Sequence, residues 1–395
     1  MTPPADAVLA SGCWSRVAVT IVFFVHGLLF ASWTAHIPQV KAVLGLTDGS
    51  LGYALLGAPV GSVLAMAAAA YLLPRLGSRR ILQVALIGYC AAGPLVGISA
   101  SPPAFIAAFF LWGAFQGTLD VAMNTQAIAV EHASRRPLMS GLHGGWSLGS
   151  FAGAGLGALA VGAGITLTSQ LLVLGTAALV AAGLLTIRML PDAADPRANM
   201  QAEAPADSVS RWSNGMVLLG AIAFASMLCE GAVADWAAVY LSGTLHARGV
   251  VPGLGYAAFG LAMLTVRLSG NRLLTRYRPN RLLPAFALIA TAGFAAALIA
   301  ARPAAALAGF ACLGIGLASV VPAIFTAAGR IPGLHPGVAV ATASACGWAG
   351  FVCGPPLIGR LATMVSLPAA RGVLPVLTAF ITLSTATAPA LQPRD

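Results

Sequence analysis

Three polar side chains in an otherwise apolar stretch have the types and the spacing needed to handle a proton or a polar solute. Gln116, Asp120 and Asn124 recur at intervals of four within the apolar run 105–130. Residues four apart share one face of an α-helix, so a carboxyl group would stand between two amides. An aspartate at the centre of a bilayer costs about 2.5–3.5 kcal/mol and is usually functional. Asp120 is therefore predicted to exchange protons or to bind solute, with an interhelical polar clamp as the alternative.

The composition indicates that this run lies in a membrane. Of the 395 residues, 58% are hydrophobic and only 8% are charged, whereas a soluble domain has about 25% charged residues. Mean hydropathy is +0.88, and apolar stretches of about 20 residues, enough for a helix to cross the bilayer, recur along the chain. We therefore predict an all-α polytopic membrane protein. The net charge of +10 does not indicate nucleic-acid binding, since the chain has no soluble basic domain.

Apolar length and the positions of prolines predict twelve transmembrane helices. The predicted spans are 17–38, 50–73, 81–100, 104–130, 138–163, 168–190, 214–242, 253–272, 282–301, 303–329, 337–362 and 371–390.

Short motifs recur about 200 residues apart, which indicates an internal duplication. LGYALLG at 51–57 returns as LGYAAFG at 254–260, and LLPRLGSRRIL at 72–82 returns as LLTRYRPNRLL at 273–283. Each pair falls at the same point of a six-helix half. Parallel repeats of this kind bind solute near the bilayer midplane between the halves and alternate access by rocking.

The repeats predict an N-terminal half at 1–190, a polar cytoplasmic linker at 191–213 and a C-terminal half at 214–395. Basic residues predict the orientation, because cytoplasmic loops carry an excess of Lys and Arg. With a cytoplasmic N-terminus, sixteen of the 21 basic residues fall inside, including Arg267 at the end of the eighth span. Five fall outside: Lys41, Arg248, Arg302, Arg360 and Arg371. Both termini are therefore predicted to lie in the cytoplasm. The predicted location is a bacterial inner membrane.

The seventh span holds two further acids. Its Glu230–Gly231 pair aligns with His26–Gly27 of the first span, and Trp236 falls close to the copy of Trp33. Glu230, near the middle of the bilayer, is predicted to be a second proton site or a gating partner for Asp120, with a structural pair as the alternative. Asp235 lies five residues further towards the outer rim, which favours a gating or helix-end role over proton coupling.

The remaining candidates for solute contact surround these acids. In the fifth span, Gly141, Gly145, Gly149, Gly153 and Gly157 form a stripe that predicts close helix packing, and polar residues lie beside it. His26 is predicted either to bind solute or relay protons, or to be a packing residue. The full predicted solute-binding set is His26, Trp33, Gln116, Asn124, His143, Trp146, Ser147 and Trp236. Carboxyl, amide and aromatic groups without a central cation favour a neutral polyhydroxy solute, and a cation remains possible.

The layout resembles the major facilitator superfamily of secondary transporters, and the two basic loops resemble that family's signature between helices 2 and 3 and between helices 8 and 9. The resemblance implies gating roles for Arg75, Arg80, Arg276 and Arg281, although Pro74 and Asn271 stand near or at the positions of the family's aspartates. FFVHGLLFASWTAHIP (23–38), DVAMNTQAIAVE (120–131), MSGLHGGWSLGSFAGAG (139–155) and EGAVADWAAVYL (230–241) resemble a poorly characterised branch near the fucose permeases. Those permeases carry a working carboxylate in helix 4, which implies proton coupling at Asp120. They carry another in helix 1, where this chain has only His26.

Three functions are considered for this sequence. The first is proton-coupled uptake of a small neutral solute such as a sugar, and the second is proton-driven efflux of an amphipathic or cationic compound. The third, a membrane enzyme or sensor, is disfavoured because no metalloprotease, nucleophile-elbow or nucleotide-binding motif occurs. The expected partners are a small-molecule substrate, protons and the lipid bilayer. We expect a monomer with no cofactor and no metal site.

Overall fold

The computed structural model describes residues 5–134, 138–190, 213–276, 279–331, 334 and 336–387, and within these ranges every regular element is a helix. The α-helices are α1 (Ala5–Ser32), α2 (Ile37–Val43), α3 (Asp48–Ala54), α4 (Gly57–Leu76), α5 (Ser78–Gly97), α6 (Pro102–Ser134), α7 (Met139–Gly162), α8 (Leu167–Ala178), α9 (Leu184–Thr186), α10 (Asn214–Val239), α11 (Leu254–Arg276), α12 (Pro279–Ala300), α13 (Pro303–Leu317), α14 (Val320–Ala328), α15 (Pro336–Met364), α16 (Leu367–Ala370) and α17 (Val373–Thr387).

The helix lengths match a protein that crosses a membrane many times. Among the described residues, ten helical segments are long and apolar enough to span a bilayer. The two other predicted spans correspond to α7, which has 24 residues, and to α11, whose apolar part is the shorter stretch Leu254–Ser269. The prediction of an all-α polytopic membrane protein is thus confirmed. It holds because apolar segments of this length satisfy their backbone hydrogen bonds in lipid only as helices.

The chain divides into two compact units. The first comprises Met1–Trp33 and Ala54–Pro205, and the second comprises Thr34–Tyr53 and Ala206–Asp395. The short helices α2 and α3 therefore cluster with the later helices rather than with α1. The proposed linker at 191–213 lies, apart from its last residue, outside the described residues, so the exact boundaries of the halves stay a prediction.

Glycine contacts hold the first unit together. A Cβ added to Gly149 or Gly153 of α7 would collide with the carbonyls of Phe24 and Leu28 in α1, which confirms a packing surface at these two positions of the stripe. The backbone of α4 fills the space beside Gly113 and Gly117 of α6: a Cβ added to Gly117 would lie 2.5 Å from the carbonyl oxygen of Ser62.

Glycine contacts also bring helices close together in the second unit, where some helices are interrupted. Gly350 of α15 lies against the carbonyl of Phe224 in α10, so that an added Cβ would collide with it. A π-helical segment, Tyr240–Thr244, follows α10, and a turn at residues 318–319 separates α13 from α14. Pro355 and Pro356, in contrast, lie inside a helix that is assigned without a break. Interruptions free backbone carbonyls, which then need other donors.

Candidate functional site

Asp120 lies half-buried on α6 in the first unit with an amide as its partner. Asn124 donates from Nδ2 to the backbone carbonyl of Asp120 at 2.8 Å and to its carboxylate Oδ1 at 3.3 Å. Gln116, Asp120 and Asn124 all keep part of their surface accessible, so the face predicted from their spacing is present. Within the described part of the chain, no basic side chain forms an ion pair with Asp120. The carboxylate of Asp120 therefore accepts a hydrogen bond from an amide and is not paired with a cation in this part of the chain.

Gln116 is anchored from the neighbouring helix. The hydroxyl of Ser62 on α4 donates to the carbonyl of Gly113 at 2.7 Å and reaches Oε1 of Gln116 at 3.5 Å. Because Ser62 takes up only the side-chain oxygen of Gln116, the amide NH₂ group remains available to donate. About two turns further along α6, Asn124 presents the acceptor oxygen of its own amide. The face thus offers both donors and acceptors around a carboxyl group.

His26 on α1 holds the indole of Trp146 on α7. Trp146 donates from Nε1 to Nδ1 of His26 at 2.8 Å, and Nε2 of His26 contacts the backbone carbonyl of Gln116 at 3.4 Å. An indole N–H can only donate and a carbonyl can only accept, so His26 is neutral with its proton on Nε2. His26 is buried, whereas Trp146 is partly exposed. Of this pair, Trp146 is the group that a solute can touch.

An aromatic stack lies behind His26. The Tyr89 ring is 5.7 Å from the His26 ring and stacks on Trp112 at 5.1 Å. Trp112 lies 6.3 Å from Trp33, which in turn packs on Phe109 at 4.6 Å. Trp33 is only 2% exposed, so its place favours packing, and a solute would reach it only after a rearrangement. The predicted contact of Trp33 with solute stays a prediction.

The other two candidates on α7 differ in accessibility. His143 is exposed, and its ring meets the edge of Phe23 at 5.3 Å. Ser147 is buried and donates its hydroxyl to the His143 carbonyl at 3.1 Å, one turn earlier in the same helix. His143 can therefore meet a solute more readily than Ser147 can.

Two polar residues at the end of α6 have structural partners that the sequence did not indicate. Gln126 is buried and donates from Nε2 to Ser78 Oγ at 2.9 Å and to the Leu190 carbonyl at 3.2 Å. Glu131 accepts from the backbone N–H groups of Leu138 and Met139 at 2.6 and 2.9 Å, where it satisfies the first N–H groups of α7. Both residues fix helix ends, which explains two of the polar residues in this stretch without chemistry.

In the second unit, Glu230 has a basic neighbour. Glu230 of α10 interacts electrostatically with Arg267 of α11, and Arg267 donates from Nε to the Ala318 carbonyl at 3.2 Å. That carbonyl belongs to the turn between α13 and α14. The sequence placed Arg267 at a cytoplasmic helix end and found no cation deep in the membrane, and both interpretations stay predictions. The contact of its guanidinium with a carbonyl of the interrupted helix is one that the sequence did not indicate.

The remaining candidates of α10 are deeply buried. Asp235 is 9% exposed and forms no ion pair within the described part of the chain. Trp236 is fully buried, and its Nε1 has no hydrogen-bond acceptor among the described residues. Their predicted roles in gating and solute contact stay predictions.

The predicted gating arginines that the structure describes lie on the surface. Arg75 donates to the Tyr71 carbonyl at 3.0 Å and covers the Tyr71 ring at 3.8 Å. Arg80 and Arg281 are exposed, and the side chain of Arg276 lies outside the described residues. Arg371 behaves differently: it was assigned to an outer loop, yet it is only 1% exposed. Counting the basic residues of each loop does not predict that one of them is buried.

A sequence model of the Major Facilitator Superfamily matches residues 19–355 of this chain. An uncharacterised MFS-type transporter of Yersinia pestis is 36% identical over 375 residues, with 93% of this chain and 94% of that protein covered. The membrane protein MosC of Rhizobium meliloti is 35% identical over 355 residues, with 89% of this chain and 84% of that protein covered.

Two solved structures are similar in fold. A mutant of the nucleoside transporter NupG aligns with a TM-score of 0.75 at 12% identity, covering 95% of this chain and 99% of that chain. A D-xylose-proton symporter aligns with a TM-score of 0.73 at 16% identity, covering 96% of this chain and 99% of that chain. At such identities the likeness concerns the fold alone.

Proposed function

Because this chain belongs to the Major Facilitator Superfamily and is a secondary transporter rather than an enzyme, we propose that it takes up a small neutral polar solute together with protons. Uptake occurs across the cytoplasmic membrane by alternating access. Asp120 exchanges the coupling proton, and the side chains around it bind the solute. Glu230 serves as a second, subordinate proton site.

The observation that carries the proposal is the half-buried carboxyl group of Asp120 without a neighbouring cation. Its hydrogen-bond partner is Asn124, and no ion pair in the described residues offsets its charge. A carboxylate in such a place is stabilised by taking up a proton, because the neutral form is cheaper to bury. Glu230, in contrast, has Arg267 as an electrostatic neighbour, so that its charge is already balanced in part.

The groups on the accessible face support a neutral polyhydroxy solute. Gln116 and Asn124 offer amide donors and acceptors, Asp120 accepts hydrogen bonds when ionised, and Trp146 offers an aromatic ring that His26 holds in place. Aromatic rings pack on the apolar side of a sugar ring while amides bind its hydroxyls. An anionic solute is disfavoured, because Arg267 is already engaged with Ala318 and Glu230.

The same groups would also serve proton-driven efflux of a cation, and no observation on the described residues favours that direction. We propose uptake because the amides of Gln116 and Asn124 match hydroxyl groups better than they match a bulky cation. The two modes differ in the direction of proton movement relative to the solute: protons move with the solute in uptake and against it in efflux.

We propose further that both termini face the cytoplasm and that Arg75, Arg80, Arg276 and Arg281 act on the cytoplasmic gate. Replacing all four by glutamine should slow turnover several-fold while leaving solute affinity unchanged, since surface charges at a gate act on conformational exchange. Solute binding and initial transport rates, measured on the same purified protein, separate the two effects. Unchanged turnover in the quadruple variant would exclude the gating role.

The function is tested with purified protein in proteoliposomes that enclose a pH-sensitive dye. Pentoses, hexoses and polyols are first screened by thermal stabilisation, and those that stabilise are added outside the vesicles. Uptake coupled to protons acidifies the interior in the absence of an imposed gradient. If every neutral solute is silent while the cation ethidium, loaded inside and leaving the vesicles, draws protons inward, the chain is an efflux carrier and the proposal fails.

A further inference from the structure

The second unit contains an arginine that is enclosed by aromatic rings. Arg371 lies between α16 and α17 and is 1% exposed. Its guanidinium carbon lies 4.3 Å from the centroid of Tyr240, 5.0 Å from that of Phe310 and 5.7 Å from that of Phe294. The three rings come from the π-helical segment after α10 and from α13 and α12, so one side chain joins several helices of this unit.

The rings leave the hydrogen-bonding needs of Arg371 unmet. Aromatic faces attract a guanidinium through its plane, but the five N–H groups of arginine point outward within that plane. Nε, Nη1 and Nη2 are all buried and have no acceptor in the described part of the chain. Nearly all buried polar groups in proteins are hydrogen-bonded, so a side chain with three unpaired nitrogens calls for an acceptor.

The charge of Arg371 is also uncompensated. Lys41 and Asp48 form the one ion pair among the described residues, and no carboxylate there reaches Arg371. A buried guanidinium is normally paired, because desolvation of a single ion is more costly than any one hydrogen bond repays. A water molecule would supply an acceptor but no charge, whereas an anion would supply both.

A second unpaired donor lies on the neighbouring turn. The indole Nε1 of Trp236 has no acceptor among the described residues and is fully buried. Trp236 precedes Tyr240 by four residues, so the two share one face of the helix. Unpaired donors are thus present both at Arg371 and on the helix that carries one of its rings.

From this arrangement we propose that the second unit binds a small monovalent anion, of the class of chloride, in the plane of the Arg371 guanidinium. The closed aromatic surroundings exclude bulky or multiply charged anions, since Arg371 has almost no exposed surface through which they would protrude. The anion neutralises the buried cation and ties the segment between α16 and α17 to the rings of Tyr240, Phe294 and Phe310. This site is independent of the solute and of the proton.

Thermal unfolding of the purified protein tests the proposal without any transport assay. Sodium gluconate is replaced stepwise by sodium chloride at constant ionic strength and pH. Because a ligand that binds only the folded state stabilises it by mass action, the midpoint should rise by a few degrees in a saturable manner, and bromide should act similarly. Arg371→Met should lose this dependence, whereas the matched control Arg360→Met, at an exposed arginine of α15, should keep it.

Equal midpoints in chloride and gluconate for the wild-type protein would overturn the proposal and leave Arg371 held by aromatic rings and water. So would a chloride dependence that survives in Arg371→Met. If that variant does not fold, crystals of the wild-type protein grown in bromide provide the second test. An anomalous peak within hydrogen-bond distance of the guanidinium supports the site, and its absence at saturating bromide refutes it.

Discussion

At the scale of single residues, what distinguishes the three carboxyl groups of the predicted spans is their surroundings. Asp120 is half-buried with an amide partner, Glu230 has Arg267 as an electrostatic neighbour, and Asp235 is almost fully enclosed. A coupling residue must exchange protons with water and also respond to solute, so accessibility and neighbouring solute-binding groups are both required. Asp120 is the proposed coupling residue because it is half-buried and because Gln116 and Asn124, which we propose to bind solute, share its accessible face.

Replacing Asp120 with asparagine keeps the shape of the side chain and one acceptor but removes the ionisable group. We expect Asp120→Asn to lose accumulation of solute driven by a pH gradient while it retains solute binding and exchange of labelled for unlabelled solute. Proteoliposomes with and without an imposed pH gradient measure all three activities. Glu230→Gln, at the proposed second proton site, should lower accumulation less than Asp120→Asn does. Normal pH-driven accumulation in Asp120→Asn would exclude the coupling role and leave Asp120 as a structural clamp between helices.

His26 is predicted to act through Trp146 rather than on protons. Both of its ring nitrogens are engaged, and a second proton on Nδ1 would break the hydrogen bond from Trp146. Losing one such bond costs about 0.5–1.5 kcal/mol, so His26→Phe should raise the KM for solute roughly 3- to 10-fold with little change in the shape of the pH profile.

Fluorescence distinguishes this positioning role from a general loss of structure. The indole emission of Trp146, obtained by subtracting the spectrum of Trp146→Phe, should shift in His26→Phe. In the double variant that combines His26→Phe and Trp146→Phe, the change in KM should be smaller than the two single changes together, because each mutation breaks the same hydrogen bond. A shifted pH optimum in His26→Phe would instead assign the proton to histidine.

At the scale of elements, glycine decides how closely the helices approach. Close approach between transmembrane helices depends on small residues, since lipid supplies no hydrophobic force to press helices together. In α7, Gly149 meets the carbonyl of Phe24, whereas Gly141 has nothing within 4 Å of its Cβ position. The same helix thus offers a crowded and an open glycine for a direct comparison.

Gly149→Ala should lower the thermal stability of the purified protein, because overpacking a tight contact costs about 1–3 kcal/mol. Gly141→Ala should be neutral or slightly stabilising, since alanine favours a helix by up to about 1 kcal/mol where space permits. Unfolding midpoints in one detergent compare the two variants. Equal unfolding midpoints for the two variants would show that α1 and α7 can move apart without loss of stability, which would contradict tight packing at Gly149.

The elements also mark what the sequence could predict. Apolar length predicted the helices, and a spacing of four placed Gln116, Asp120 and Asn124 on one face, because both depend on local periodicity. The partners of Gln126 and Glu131 could not be predicted, since they lie on other helices at positions that only the packing defines. The same holds for Arg267, whose acceptor exists only because the tenth predicted span is interrupted at residues 318–319.

At the scale of the whole molecule, two arginines that enter the count of basic residues make internal contacts. Arg267 was counted on the cytoplasmic side and Arg371 on the outer side, yet Arg267 donates to the Ala318 carbonyl and Arg371 is only 1% exposed. Removing one residue from each side leaves the large cytoplasmic excess intact. Because the bias of loop Lys and Arg sets orientation, the predicted topology does not depend on either residue.

Reporter tags test this topology along the whole chain. Tags at both termini and at residue 200 should be accessible only from the cytoplasm, and a tag at Leu245, after the π-helical segment that ends the seventh span, should be accessible only from outside. Single-cysteine labelling of intact cells with a membrane-impermeant reagent measures each position, and lysed cells provide the control for reactivity. Twelve spans require the two termini to lie on the same side, so an external C-terminus with a cytoplasmic N-terminus would mean that one of the predicted spans does not cross the membrane. The spans to examine first would then be α7 and α11, which are the two that the ten long apolar segments do not include.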